Sequence, residues 1–262
     1  MITRMADGVR RITAGNGGPM TYTGTQTYLV GDGGDVVLID PGPDLAAHRD
    51  AINSALAPGE RIAAILVTHA HLDHSPLATR MGRDLGVEVS AFGGVGAGRS
   101  SQMEALAQSG AYLGGGEGVD TTFAPDRVLR DGEVVEVAGL RLRAIHTPGH
   151  MSDHLCFALE GTGTLFSGDH VMGWATTLVS PPDGDLTAFM GSLEKVRGQG
   201  FTQFLPGHGD VVEAPDALIE RQIAHRRGRE AQILNALTGR ARRIGGIVPE
   251  IYAEVDPALH PA

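Results

Sequence analysis

The chain has 262 residues, of which 42% are hydrophobic and 20% are charged, and its net charge at pH 7 is −10. No apolar run reaches the roughly 18 residues needed to cross a bilayer, which excludes a membrane-spanning protein, and the polar N-terminal residues lack the apolar stretch of a secretion signal, so we expect a cytoplasmic protein. The acidic balance also disfavours an extended nucleic-acid surface, because contacts to phosphate need Lys and Arg.

The first half of the chain predicts a hairpin, a buried strand and a helix. Gly31–Gly34 separate two β-rich runs, which is typical of a hairpin. Helical spacing begins at Pro76 and stops at Gly86, and the Gly- and Ser-rich residues 93–118 predict an irregular insertion without chemistry of its own. The predicted strands are residues 27–30, 36–39, 62–67 and 87–89.

The second half predicts another group of strands and one amphipathic helix. Asp185 is suited to cap that helix, whose apolar residues follow the spacing of one helix face. That face is predicted to hold Leu186, Phe189, Met190, Leu193 and Val196. The predicted strands are residues 134–137, 140–145, 155–159, 164–166 and 202–205.

A longer helix and a short tail follow. Asp216 is suited to cap a helix that runs to about Leu237. Its inward face is predicted to hold Ile219, Ile223, Ile233, Leu234 and Leu237. We therefore expect an α/β protein, with one large domain at residues 1–214 and a C-terminal segment at residues 215–262.

A dense histidine motif directly follows the strand predicted at residues 62–67. Residues 69–74 read HAHLDH, and the first two histidines point the same way if the loop is extended. Neutral imidazoles and carboxylates suit a zinc-like ion, and Cys156, the only cysteine, excludes a cysteine-rich site. Further histidines lie at turns where predicted strands end, and together with the motif they indicate a metal site: His150, His170 and His208.

The order of the segments HAHLDH, PGH, SGDH and PGHG resembles that of the metallo-β-lactamase-fold hydrolases, over roughly residues 20–240. What the resemblance implies is an αββα sandwich with two divalent metal ions at one edge between the sheets. Zn²⁺ is the expected metal, with Mn²⁺ and Fe²⁺ as alternatives. The resemblance assigns His69, His71 and His150 to the first ion, Asp73, His74 and His208 to the second, and Asp169 to a bridge between them.

Such a site implies hydrolysis. Two neighbouring ions lower the pKa of a shared water, so that a metal-bridging hydroxide can attack an ester, amide or phosphodiester near pH 7. Asp73 would orient that hydroxide as well as bind metal. His154 and His170 lie near the proposed ligands along the chain, and they either orient these ligands or simply pack. Trp174, the only tryptophan, is predicted to pack in the core, with a place in the substrate pocket as the alternative.

A finer resemblance concerns the substrate. Residues 24–30, 149–154, 167–169 and 224–226 together resemble the lactamase-beta-like proteins, whose characterised animal member cleaves single-stranded RNA. Members of that group end in a winged-helix-like domain, and the tail from Ile247 resembles the opening of that domain, which implies a partial winged-helix-like appendage. The leading hypothesis is therefore an endoribonuclease-like phosphodiesterase.

Other substrates stay open. A small-molecule ester, thioester or lactone is the runner-up, and the acidic net charge favours it. β-Lactam hydrolysis is disfavoured because lactamases of the fold usually lack a carboxylate at the position of Asp169. Ala70 departs from the His-His-His of hydroxyacylglutathione hydrolases, which weakens the thioesterase hypothesis without excluding it. A non-hydrolytic redox module would need a flavin domain, for which 262 residues leave no room.

The acidic chain has one basic stretch. Residues 220–243 hold seven Arg against two Glu, which favours a solvated helix face over a phosphate-binding surface. If RNA is the substrate, the predicted phosphate contacts are Arg226, Arg227 and Arg229. The partner is thus a small molecule or single-stranded RNA, and the oligomeric state is open.

Overall fold

The computed structural model describes residues 2–6, 8–110, 118–239 and 241–253. The chain divides into two compact units, Met1–Pro215 and Asp216–Ala262. Within the described residues, no helix combines the length and the apolar composition that crossing a membrane requires.

Seven strands form the first sheet, in the order β1-β2-β3-β4-β5-β6-β7. Neighbouring strands are antiparallel from β1 to β4 and parallel from β4 to β7. The predicted hairpin is confirmed, because β3 and β4 pair with Leu29 opposite Leu38. The strands are β1 Ile2–Arg4, β2 Val9–Thr13, β3 Gln26–Val30, β4 Asp35–Ile39, β5 Arg61–Leu66, β6 Val89–Ala91 and β7 Arg127–Val128.

Five strands form the second sheet, in the order β12-β11-β10-β9-β8. β11 and β12 are parallel, and the other pairs are antiparallel. All five were predicted from apolar runs. They are β8 Val134–Val137, β9 Leu140–His146, β10 Leu155–Leu159, β11 Thr164–Gly168 and β12 Gln203–Pro206.

The helices are α1 Ala46–Ala55, α2 Pro76–Leu85, α3 Ser101–Gln108, α4 Leu186–Val196, α5 Pro215–Leu237 and α6 Ile244–Ile251. Asp185 caps α4 as predicted, because its carboxylate accepts hydrogen bonds from the backbone N–H groups of Thr187 and Ala188. Gly86 ends α2 in the left-handed conformation, also as predicted.

Two apolar layers flank the first sheet, because side chains alternate between its faces. Along β4, Val37 and Ile39 pack toward the second sheet with Phe157 and Phe166. The intervening Val36 and Leu38 pack on the other face with residues of α1 and α2, among them Ile52 and Leu77. This arrangement is the predicted layered α/β sandwich.

Several details differ from the sequence prediction. Residues 93–118 contain α3, whose first turn is capped by the Ser100 hydroxyl, so the segment is not wholly irregular. β6 is shifted two residues along the chain from the predicted strand at 87–89. Leu186 is 45% exposed because it starts α4, ahead of the buried face that Phe189, Leu193 and Val196 form.

The second unit consists of α5 beyond its first residue, together with α6. Ile219 and Ile223 are buried as predicted, whereas Ile233 and Leu234 are exposed, so the predicted inward face ends early. The winged-helix-like assignment stays a prediction, since residues 254–262 lie outside the described residues.

Candidate metal centre

Four loops at one edge of the sandwich carry the predicted ligands. Residues 69–74 follow β5, His150 lies between β9 and β10, and Asp169 and His208 follow β11 and β12. Gly207 permits their close approach, because a Cβ there would collide with Asp169 Oδ1 and lie 2.8 Å from His74 Cε1. A residue larger than glycine at position 207 would therefore displace Asp169 or His74.

His69, His71 and His150 turn three ring nitrogens toward one point. His71 Nδ1 lies 3.0 Å from His69 Nε2 and 3.2 Å from His150 Nε2. The outer nitrogens contact Thr68 Oγ1 at 2.9 Å and Leu178 O at 2.7 Å. A carbonyl only accepts, and the Thr68 hydroxyl already donates to a carboxylate, so the outer nitrogens of His69 and His150 carry the proton. Their inward nitrogens therefore present lone pairs.

Asp73, His74 and His208 form a second group. Asp73 Oδ2 lies 3.3 Å from His74 Nε2 and 3.2 Å from His208 Nε2. His74 Nδ1 lies 2.9 Å from Asp40 Oδ2, and because the carboxylate accepts, the proton sits on Nδ1. His74 Nε2 is buried without a hydrogen-bond partner among the described residues. A buried, inward-facing nitrogen of this kind requires a cation or a proton.

Asp169 lies between the two groups. Its Oδ2 is 3.7 Å from His150 Nε2 and 3.3 Å from His208 Nε2, and its Oδ1 is 3.6 Å from His74 Nε2. The residue is 6% exposed, and Oδ1 has no hydrogen-bond partner within the described part of the chain. Asp169 is therefore within reach of histidines from both groups.

The spacing of the inward atoms fits metal ligands. Around a tetrahedral zinc ion with bonds of about 2.0–2.1 Å, neighbouring ligand atoms are about 3.3 Å apart. The pairs described above are 3.0–3.7 Å apart. Facing lone pairs at such distances repel each other unless a positive charge lies between them. The candidate ligand groups are His69, His71 and His150, then Asp73, His74 and His208, and a third that joins His69, His74 and Asp169.

The two groups differ in electrostatics. Burial, followed by a neighbouring imidazole, lowers the pKa of His71 to about 3, so this ring is neutral and able to bind metal. Burial also opposes protonation of His208, but the carboxylates of Asp169 and Asp73 outweigh it and raise its pKa to about 9. The pKa of His74 is held well above its ordinary value in the same way. The carboxylates thus favour positive charge at the second group, which a divalent ion would supply.

Comparison with known proteins identifies the family. Residues 20–208 match the metallo-beta-lactamase superfamily. The chain belongs to that superfamily. All seven predicted ligands lie within the matched residues, whereas the Arg-rich stretch lies beyond them.

Two fungal relatives carry the name atrochrysone carboxyl ACP thioesterase. The one from Aspergillus fumigatus is 34% identical over 233 residues, which are 87% of this chain and 64% of the relative. The one called AgnL7, from Paecilomyces divaricatus, is 33% identical over 266 residues, 99% of this chain and 74% of the relative. The chain thus spans less than two thirds of the Aspergillus relative, and the names of both support a hydrolase.

One solved structure, of TTHA1623 in a di-iron-bound form, is similar in both fold and sequence. Its TM-score is 0.58 at 26% identity, over 81% of this chain and 97% of that chain. The likeness supports the superfamily assignment, and the iron is a property of TTHA1623.

Asp40 contacts the candidate site but was not predicted from the sequence. Its carboxylate accepts hydrogen bonds from the Thr68 backbone N–H and the Thr68 hydroxyl, both at 2.7 Å, and from His74 Nδ1. It adopts φ +46°, a strained conformation for Asp. The only sequence signal was its place at the end of a buried strand, directly before Pro41.

Thr25 and Asn16 were also missed. The buried Thr25 hydroxyl donates to Asp73 Oδ2 at 2.9 Å, and Asn16 Nδ2 donates to the same hydroxyl at 2.9 Å. The Asn16 side-chain oxygen accepts from the Thr25 backbone N–H. The nitrogen and the oxygen of the Asn16 side-chain amide therefore both hold Thr25, whose hydroxyl holds Asp73. Nothing in the sequence pattern distinguishes this pair from other loop residues.

His154 and His170 occupy different settings. The Asp169 backbone N–H donates to His154 Nε2 at 3.1 Å, and His154 Nδ1 lies 2.8 Å from Thr147 Oγ1, which favours the orienting role for His154. The fully buried His170 ring lies edge-on to Phe189 at 5.2 Å, which favours packing.

Trp174 is only half-buried, so the predicted place in the core is wrong. Its ring stacks on the exposed Tyr22 at a centroid distance of 5.1 Å and an interplanar angle of 11°. The Tyr22–Trp174 stack instead lies next to the candidate site, because Trp174 packs against Gly209, the neighbour of His208.

The three arginines predicted to contact phosphate lie on α5, and one of them, Arg229, already interacts with other residues of the protein. Arg229 donates to Ile251 O, and its guanidinium carbon lies 4.2 Å from the Tyr252 ring centroid. Burial lowers the pKa of Arg226. Phosphate binding by Arg226, Arg227 and Arg229 stays a prediction.

Proposed function

We propose that the chain is a metal-dependent thioesterase that hydrolyses an acyl thioester carried on an acyl carrier protein. The observation that carries the proposal is the pair of ligand groups around Asp169, found in a chain 33–34% identical to proteins named ACP thioesterases. The thioester alternative of the sequence analysis therefore takes precedence over the phosphodiesterase that led it. Nothing in the names of these relatives favours RNA.

Two divalent ions fit the donor set, with Zn²⁺ as the first expectation and Fe²⁺ as the alternative that the di-iron structure supports. His69, His71 and His150 would hold one ion, Asp73, His74 and His208 the other, and Asp169 both. When bound, the ions supply a Lewis acid for the thioester carbonyl and lower the pKa of a water molecule.

Asp73 has a second role in this proposal. Its Oδ2 is engaged by Thr25 and lies close to His74 and His208, so Oδ1 is left to accept a hydrogen bond from the attacking water. In the net reaction a bond forms between the water oxygen and the acyl carbon, the carbon–sulfur bond breaks, and the thiol leaves with a proton. The products are a carboxylic acid and a free thiol.

Thiol release tests the proposal directly. Purified protein is incubated with an acyl N-acetylcysteamine thioester, an acyl-loaded carrier protein, a single-stranded oligoribonucleotide and the β-lactam nitrocefin. Thiol is followed with a chromogenic disulfide reagent, whose background is low because Cys156 is fully buried. We expect hydrolysis of both thioesters and neither of the other substrates.

Matched variants assign the activity to the site. His71→Ala removes a ligand of the first ion, so thioester hydrolysis should fall at least 100-fold, whereas His225→Ala, which removes an exposed histidine of α5, should have no effect. Cleavage of RNA without thioester hydrolysis would overturn the proposal in favour of the phosphodiesterase. Equal activity in both variants would place the chemistry elsewhere.

A further inference from the structure

Large apolar side chains stay exposed on the loops that carry the candidate ligands and on the neighbouring loop between β2 and β3. Tyr22 is 49% exposed, Leu72 51% and Leu178 54%. We call these three residues, together with the half-buried Trp174, the apolar collar. Single exposed apolar residues are ordinary on a protein surface, but a group of them beside a reactive centre indicates contact with a ligand.

Each member of the apolar collar is tied to a ligand loop. Leu72 lies between two ligands in the HAHLDH motif, and the Leu178 carbonyl accepts from His150 Nδ1 at 2.7 Å. Trp174 packs on Gly209 next to His208, and Tyr22 stacks on Trp174. His150 and His208 both approach Asp169 Oδ2, at 3.7 and 3.3 Å, and Trp174 and Leu178 lie on the loop that follows Asp169.

Tyr22 is held in a conformation that a bulky residue rarely adopts. Its φ is +54°, in the left-handed region. Hydrogen bonds nevertheless hold the loop in place. The Gly18 N–H donates to Tyr22 O at 3.0 Å, and the hydrogen bonds of Asn16 to Thr25 and of Thr25 to Asp73 fix the loop beside Asp73. A tyrosine kept where glycine or asparagine would relax the backbone indicates a role for its ring rather than for stability.

We propose that the apolar collar binds a planar aromatic acyl group of the thioester substrate. Trp174 already lies nearly parallel to Tyr22, so an aromatic ring on the free face of Tyr22 would extend the stack. The collar suits the acyl group rather than the leaving group, because a pantetheine arm is rich in amides, which an apolar surface does not satisfy. This inference rests on the proposed thioesterase function.

The kinetic test compares two acyl groups on one leaving group. Naphthoyl and hexanoyl N-acetylcysteamine thioesters are hydrolysed by the wild type and by Tyr22→Asn, Tyr22→Phe and Leu178→Ala. Leu85→Ala, which shortens a leucine 49% exposed at the far end of α2, is the matched control. We expect kcat/KM for the naphthoyl substrate to fall about tenfold in Tyr22→Asn and Leu178→Ala and less than twofold for the hexanoyl substrate.

Thermal unfolding separates binding from a structural role. Asparagine tolerates positive φ, so Tyr22→Asn should keep or raise the melting temperature while losing aromatic selectivity, and Tyr22→Phe should retain both. A lower melting temperature with equal losses for both acyl groups would show that Tyr22 is structural. Unchanged kinetics in Tyr22→Asn would also overturn the proposal.

Fluorescence distinguishes failure of the collar from failure of the thioesterase. Trp174 is the only tryptophan, so its emission reports on the collar without any turnover. Titration with 4-nitrobenzoate should quench it saturably in the wild type but not in Tyr22→Asn, and hexanoate should not compete. Saturable quenching without thioester hydrolysis would refute the proposed function and leave an aromatic-binding site. Absence of saturable quenching would overturn the collar whatever the activity.

Discussion

Single hydrogen bonds on the outer side of the histidines determine what the candidate site can bind. Thr68, Asp40 and the Leu178 carbonyl each occupy one ring nitrogen, which fixes the tautomer and turns the other nitrogen inward. Asp40 acts on two histidines. It accepts a hydrogen bond from His74 directly, and it also accepts one from the Thr68 hydroxyl, which in turn accepts a hydrogen bond from His69. It therefore connects the two ligand groups without being a ligand itself.

Asp40→Asn should weaken metal binding while leaving all seven ligands in place. The amide cannot accept hydrogen bonds from the Thr68 N–H, the Thr68 hydroxyl and His74 Nδ1 as the carboxylate does, so we expect a 10–100-fold loss of affinity. Competition with a chromogenic chelator measures it. Asp44→Asn, which breaks only an exposed ion pair with Arg80, is the control. An unchanged affinity in Asp40→Asn would contradict the positioning role.

Among the secondary-structure elements, the sequence best predicted those whose burial imposes a regular pattern of apolar residues. Apolar runs located the strands whose ends carry the ligands, because a strand covered on both faces cannot contain many polar residues. β1, β2, β7, α1, α3 and α6 escaped prediction. α1 buries only His48, Ile52 and Ala55, a face too weakly apolar to stand out.

In the candidate site, the sequence likewise revealed the residues that form a local motif and missed those that act through contacts between distant segments. Most of the candidate ligands could be found because they are dense along the chain, and two of the three candidate groups in the structure contain the same residues as the two groups that the resemblance implies. Asp40, Thr25 and Asn16 could not be found, because their partners are 34, 48 and 9 residues away and no local pattern records such contacts. Contacts between distant segments are set by tertiary packing.

One such contact joins β2 to the loop before β5. The buried Arg10 contacts the fully buried side chain of Glu60 and donates to Ala55 O at 2.8 Å and Gly31 O at 2.9 Å. The Glu60 carboxylate also accepts from two backbone N–H groups. The hydrogen bond from Arg10, above all, lowers the pKa of Glu60 from 4.5 to about 2.

Glu60→Gln should therefore destabilise the fold in a pH-dependent way. Because the folded pKa lies below the unfolded one, the carboxylate stabilises fully above about pH 4.5, and its contribution is lost as pH falls toward 2. We expect a loss of about 3 kcal/mol at pH 7 that shrinks below pH 4.5. Urea unfolding of chelator-treated protein measures it.

The exposed ion pair of Asp35 and Arg61 provides the control for this prediction. Asp35→Asn breaks a pair whose arginine side chain is 77% exposed, so the free energy of unfolding should change by about 1 kcal/mol or less. A Glu60→Gln deficit that stays constant from pH 7 to pH 3 would show that the charge of Glu60 contributes nothing.

At the scale of the whole molecule, the two sheets serve to bring four loops together. The candidate ligands follow β5 in one sheet and β9, β11 and β12 in the other, so neither sheet alone carries a complete candidate group. In the first group, His69 and His71 come from the first sheet and His150 from the second. The site and the packing of the sheets against each other are consequently linked, and ions bound there should stabilise the folded sandwich.

Metal removal tests both the ion count and this link. Metal-replete protein should contain two ions per chain by elemental analysis, because the donors form two groups that share Asp169. Chelation should abolish thioester hydrolysis and lower the melting temperature by on the order of 10 °C, since ligands at about 1,000 times their Kd contribute about 4 kcal/mol. Readdition of Zn²⁺, Fe²⁺ or Mn²⁺ in parallel identifies which ion restores both properties. A single ion per replete chain would contradict the bridge assigned to Asp169, and full activity after verified removal would contradict the metal dependence itself.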